Sequence, residues 1–198
     1  MIDTNNYVIH SLHQIKMEVS TLTLAELNQL MRYVNFILGL VVIAAYILCK
    51  FFYAHYFFGI LHHKLLVYRE CRKLGIPKRG LKHDLSKFHP AEYFAYARYW
   101  VLSFIKDDKN HPVSIKYEIA KDRHQKGNSH HWEYWVDDCD VAQPMDDESI
   151  LEMVADWRAM SARHAGALGE VDYYKAKGSR INLHPETRAK LEQIIGYY

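Results

Sequence analysis

Leu81-Lys82-His83-Asp84-Leu85-Ser86-Lys87 is the stretch around which the rest of the chain can be organised. It places an imidazole next to a carboxylate, with an ammonium three residues on. Imidazole and carboxylate together suit Mn, Fe, Zn, Co or a similar divalent ion. The periodicity predicts a helix over His83–Phe88, on which His83 and Asp84 point about 100° apart. They reach one ion only if it sits beside the helix and other helices supply further donors. Lys87, about one turn after Asp84, is placed to meet a phosphate held there. In a chain with 13 histidines and 23 acids a chance His-Asp pair is expected, so the dipeptide alone decides nothing.

Its company decides more. His62-His63 lies upstream, and a turn at Gly75–Pro77 would fold the two segments together. Downstream come His124 and then His130-His131, followed by Trp132-Glu133. Asp156 falls between Val154 and Trp157 in an amphipathic segment. A half-buried, unpaired carboxylate there is costly, and a metal or a basic partner removes the cost. The candidate ligands are therefore His63, His83, Asp84, His124, His130, His131 and Asp156. Glu92 and Glu133 are candidate proton carriers, with a solvated surface carboxylate as the alternative for each.

The order His63, His83-Asp84, then further histidines, then Asp156 resembles the H…HD…D pattern of HD-type metal hydrolases. A narrower resemblance rests on five stretches: His62-His63-Lys64; Gly80 through Phe88; His124 with Asn128-Ser129-His130-His131-Trp132-Glu133-Tyr134-Trp135; Glu152-Met153 with Asp156; and Tyr173-Tyr174 followed by Leu183-His184-Pro185-Glu186-Thr187. In these the chain is similar to a family of bacterial and phage proteins known as domain of unknown function 5662, over about residues 61–196. The resemblance implies an HD-like helical domain with one or two bound metal ions, and no particular activity. His124 and His130 are closer in sequence than the extra histidine pair of better-known HD enzymes. The mononuclear set His63, His83, Asp84 and Asp156 is the firmer expectation.

Around this centre the chain reads as all-α, with no sustained period-two alternation. Helices are expected over residues 61–74, from Pro90 to about Ile105, 113–126, 147–165, and from Pro185 to about Ile195. The stretch 137–146 reads as turns. Thr23-Leu24-Ala25-Glu26 has the spacing of a capping box, predicting a helix from Leu24. From Tyr33 to Cys49 there are 17 residues without a charge, and an apolar aromatic stretch continues to Leu61. Residues 1–60 are expected to be an extension carrying one transmembrane helix at about 30–57, and 61–198 the metal-binding domain. The alternative is a buried helix or an oligomerisation hairpin. Lys50, Lys64, Arg69, Arg72, Lys73, Lys78, Arg79 and Lys82 crowd the C-terminal flank, which orients residues 61–198 to the cytoplasm. Three cysteines without CxxC spacing fit free thiols there. Gly39 and Ala44-Ala45 would allow helix pairing in a homo-oligomer.

A formal net charge of +2 does not indicate a general nucleic-acid footprint, and no direct nucleic-acid binding is expected. The function these residues favour is metal-dependent hydrolysis of a small phosphoester, a nucleotide among the candidates. Two other classes compete: a di-iron oxygenase of HD type, and a non-catalytic, membrane-anchored ligand-binding module.

Overall fold

The computed structural model describes residues 23–102, 108–163 and 169–197. The chain divides into two compact units, Met1–Phe51 and Phe52–Tyr198. Among the described residues seven α-helices run in order: α1 (Leu24–Lys73), α2 (Pro77–Lys82), α3 (Pro90–Val101), α4 (Pro112–Gly127), α5 (Asp147–Arg163), α6 (Glu170–Lys177) and α7 (Pro185–Ile195). Short 3-10 turns occupy Leu85–Phe88, Trp132–Trp135 and Gly178–Arg180. The described residues form no strand, only one isolated antiparallel bridge between Val136 and Ala142. The fold is all-α, as expected.

In the first unit the capping box forms. The Thr23 backbone N–H donates to Glu26 Oε2 at 2.8 Å, and the Glu26 N–H donates to Thr23 Oγ1 at 3.3 Å. From Leu24 to Phe51 nearly every side chain is exposed, including Phe36, Ile37, Val41, Val42 and Ile47. α1 is long and apolar enough to cross a membrane, with an 18-residue window of mean hydropathy 2.3 and none of it buried. An apolar surface all round a helix suits lipid or a partner chain better than water.

In the second unit α1 ends as the sequence predicts. Gly75 takes φ 80, its N–H donates to Arg72 O, and the Ile76 N–H donates to Cys71 O at 2.9 Å. This pair of bonds is a Schellman cap, and Pro77 then opens α2. α2 lies hard against α1: a Cβ built on Gly80 would stand 2.7 Å from Tyr68 Cα and 2.9 Å from Cys71 Cβ.

Three helices begin with His-Pro. Nδ1 of His89, His111 and His184 each accepts a backbone N–H two residues on, from Ala91, Val113 and Glu186. Capping thus accounts for His89 and His111, which have no partner pattern in the sequence, and gives His184 the role its place before Pro185 suggests. α6 is a helix that sequence periodicity does not reveal. Its signal is the acidic first turn, Glu170 and Asp172, directly after Gly169.

One buried cluster joins α5, α6 and α7 through Met145, Ile150, Met153, Val154, Tyr174, Leu183, Leu191 and Ile195. A second, Val67, Cys71, Ile76, Ala155 and Ala159, packs the end of α1 on α5. The second core sets the end of α1 beside α5, whose Ser149 and Glu152 face Arg79 of α2.

Candidate metal centre

The expected helix over His83–Phe88 does not form. α2 stops at Lys82, where the His83 N–H closes onto Arg79 O at 2.8 Å. Asp84 then takes φ 54 and ψ 24, in the left-handed region, before the 3-10 turn. Short polar residues are the non-glycine types that tolerate this region. The break is held from outside: Lys64 of α1 donates to the carbonyls of Leu81 and His83, both at 2.6 Å. The two side chains therefore leave a sharp turn rather than a helical ramp, and both are buried.

Helical phase selects the donor from α1. Ile60, His63, Val67 and Cys71 form its buried stripe, whereas His62 is exposed. His63 Nε2 lies 2.9 Å from Asp156 Oδ1, and His83 Nε2 lies 3.8 Å from the same oxygen. His124, near the end of α4, brings Nε2 to 3.2 Å from Asp84 Oδ1, and His130 brings Nε2 to 3.4 Å from it. His131 lies beside both, tilted against His130 with ring centroids 4.2 Å apart and edge-on to His124 at 4.9 Å. The loop carrying this pair is pinned by Trp135, whose indole N–H donates to Ser129 O, and by Arg79, which donates to Ser129 Oγ.

Two carboxylates stand behind the imidazoles. Glu152 Oε1 lies 3.0 Å from His83 Nδ1 and 3.4 Å from His130 Nδ1. Glu92 Oε2 lies 3.1 Å from His124 Nδ1 and accepts from Ser86 Oγ at 2.9 Å. A carboxylate at Nδ1 keeps the proton there and leaves the Nε2 lone pair facing inward. The expectation of Glu92 as a free proton carrier meets a buried residue, already bonded behind His124. Glu152 joins the donor cluster, although the sequence offers it only within a motif and not among the candidate ligands. Its signal was its position four residues before Asp156, on one face of α5.

Among the described residues nine buried side-chain nitrogen or oxygen atoms have no hydrogen-bond partner. Six of them are His83 Nε2, Asp84 Oδ1, His124 Nε2, His130 Nε2, His131 Nε2 and Asp156 Oδ1. So dense a group of unsatisfied atoms is costly unless something else satisfies them. Three sets each keep their donors within 4.8 Å of one another: Asp84 with His124, His130 and His131; His63 with His83 and Asp156; and His83 with His130 and Glu152. A ligand bond of about 2.1 Å separates neighbouring donors by about 3.0 Å in an octahedron and about 3.4 Å in a tetrahedron. The separations of 2.9, 3.2, 3.4 and 3.8 Å bracket these values. These buried clusters could hold a metal ion, and the donor chemistry fits one.

Charge is arranged to match. Burial pushes the Asp84 carboxyl up, but Lys87, His83, His124 and His130 together hold it well below the usual carboxylate range. Lys87 Nζ is 2.6 Å from Asp84 Oδ2. Burial likewise pushes Asp156 up, and His63 and His83 outweigh it and bring it down. Burial, aided by His130 and His124, pulls His131 down to about 2, so its imidazole is neutral and free to act as a ligand. Burial raises the Glu133 carboxyl, whose Oε1 accepts from Gln125 at 2.6 Å. Glu133 lines a cleft of about 380 Å³ together with His130, His131, Asp156, Trp132, Trp157 and Tyr173.

The model of the family described as "Family of unknown function (DUF5662)" matches residues 53–197, so the chain belongs to that family. No curated protein and no solved structure matches the chain.

Proposed function

For this member of a family of unknown function, we propose a divalent-metal-dependent phosphohydrolase of HD type that cleaves a small phosphoester. The observation that carries this reading is Asp84. Its Oδ1 faces His124 and His130, while its Oδ2 faces His83 at 3.4 Å and the Lys87 ammonium. One carboxylate thus adjoins two donor sets, and a cation stands at its edge. His63, His83, Asp84 and Asp156 would hold one ion; Asp84, His124, His130 and His131 would hold a second. Manganese, iron, zinc and cobalt suit these donors.

A bound ion of this kind polarises a phosphoryl oxygen and brings the pKa of a coordinated water toward 7. The chain's own residues do the rest. Lys87, beside Asp84 Oδ2, balances phosphate charge. Glu92 and Glu152 keep the imidazoles in one tautomer and orientation. Glu133 opens into the cleft, and its burial shifts it upward, the direction needed to pass a proton to a leaving oxygen. This favours Glu133 over Glu92 as the proton carrier. α1 supplies a single membrane pass, and the basic residues that follow it orient the catalytic unit to the cytoplasm.

The test is metal content and phosphoester cleavage of the full chain, wild type against Asp84→Asn. The expected wild type carries transition metal and cleaves a chromogenic phosphomonoester with manganese; the variant loses both. A wild type that binds no transition metal after reconstitution refutes the reading. Mixed-valent iron under anaerobic reconstitution, without ester cleavage, favours the oxygenase instead. Metal binding with neither reaction favours a ligand-binding module.

A further inference from the structure

A second cavity, of about 460 Å³, reaches the same donors along α1. His55, Tyr56, Gly59, Ile60 and His63 form one wall, and Tyr96 and Trp100 of α3 with Met160 of α5 stand across from them. The eight-residue rise from His55 to His63 makes this a corridor of about 12 Å. Its two ends differ in chemistry. At the inner end are Lys87, His63 and Asp156. At the outer end the His55 ring stacks on Trp100 with centroids 5.1 Å apart. Two of the lining side chains are apolar and well exposed: Trp100 and Met160 are each 42% exposed. Along α1 the His55–Ile60 wall comes directly after the apolar stretch that is able to cross a membrane. Aromatic rings with one polar edge, next in sequence to an apolar segment, are the composition of a membrane–water interface.

We propose that the substrate is an amphiphilic phosphomonoester taken from a bilayer, with its phosphate at Lys87 and the donor cluster and its hydrocarbon chain along His55–Ile60 against Trp100. This rests on the phosphohydrolase reading and names its substrate class. The oxygen of water forms the new P–O bond as the ester P–O bond breaks. The leaving alkoxide takes a proton, giving inorganic phosphate and a lipid alcohol.

The test uses the full chain in lipid nanodiscs, loaded with manganese, and n-alkylphosphonates of two to ten carbons, which resist hydrolysis. Binding is read by competition and by tryptophan fluorescence. In the wild type, affinity rises by roughly threefold to fourfold per methylene until the corridor is filled. In Trp100→Ala the slope flattens, the ten-carbon ligand losing roughly tenfold more than the two-carbon one, and Trp100→Phe restores it. Partition into the bilayer is the same for all three proteins, so the difference in slope belongs to the corridor. Equal slopes in wild type and Trp100→Ala overturn the proposal. So does a nucleoside monophosphate that competes better than the ten-carbon phosphonate. Matched two- and ten-carbon phosphate esters are assayed in parallel. If neither is cleaved while the slopes differ as described, the amphiphile site is supported and the hydrolase reading beneath it falls.

Discussion

Replacing Glu152 by glutamine tests whether the inner carboxylates tune a metal site or merely fill space. The change keeps size and removes the charge. Glu152 Oε1 serves two imidazoles, His83 at 3.0 Å and His130 at 3.4 Å, and its Oε2 lies 3.6 Å from Arg79 Nε. An amide has one accepting oxygen, so it can serve the histidines or Arg79, and its NH₂ then confronts the other donor. A hydrogen bond to a charged group contributes roughly 1.5–3 kcal/mol and a neutral one about 0.5–1.5. The substitution should therefore remove about 1–2 kcal/mol of support from the ligand set. At 1.4 kcal/mol per tenfold that is roughly a 5- to 30-fold loss of metal affinity, overlapping the roughly 10- to 100-fold typical of such outer partners. The assay is competition of the metal-stripped chain with a chromophoric chelator for zinc and for manganese. Glu148→Gln, at an exposed partner of the same arginine 3.3 Å away, is the control. Circular dichroism confirms that each variant is folded. An affinity within twofold of wild type for Glu152→Gln, or an equal loss in Glu148→Gln, refutes the reasoning.

Other expectations follow from the same geometry. Gly80→Ala puts a methyl group 2.7 Å from Tyr68 Cα and 2.9 Å from Cys71 Cβ, so α2 must shift; a loss of about 1–3 kcal/mol is expected, read by urea denaturation. Lys64→Met keeps the aliphatic stem and removes two bonds to the carbonyls before the Asp84 turn; amide exchange at 82–85 should accelerate, and metal affinity should fall roughly tenfold. In the metal-stripped chain, His131 titrates near 2 when folded and about 6.5 when unfolded, so below pH 6.5 the unfolded state takes up a proton that the folded state does not. Stability is then whole above pH 6.5 and falls by about 1.4 kcal/mol per pH unit below it, roughly 2 kcal/mol by pH 5. Asp84 and Asp156, both held low, add to the loss only under stronger acid, as pH falls through their folded values. Denaturant midpoints at pH 7, 6 and 5 check this, and equal stability across that range, or an unchanged slope in His131→Asn, rules it out.

What the sequence made legible is what local chemistry controls. The capping box at Thr23, the stop at Gly75 and the helix starts at Pro90 and Pro185 depend on a few neighbouring residues, and each stands where the pattern put it. The stripe of Ile60, Val67 and Cys71 was also present, and would have separated His63 from His62 by phase alone. The turn at Asp84 was not legible, because it is held by Lys64, 19 residues away from His83, and by contacts of Asp84 with α4 and its following loop. The Pro90 helix, expected to about Ile105, ends at Val101, and residues 103–107 lie outside the described ones, as do 164–168 at the expected end of α5. Glu92 read as a proton carrier or a surface carboxylate, and Glu152 only as part of a motif, because their histidine partners come from elements that only tertiary packing brings together.

The backbone at Asp84 sets a second condition on that residue, independent of the metal donors. A left-handed φ of 54 admits glycine, asparagine and aspartate with little strain. The two oxygen positions, one toward His124 and His130 and one toward Lys87, admit only a carboxylate. Glutamate would satisfy the charge and miss the turn; asparagine would satisfy the turn and miss the charge. The two filters overlap in a single amino acid, so no stepwise substitution at this position keeps both shape and chemistry.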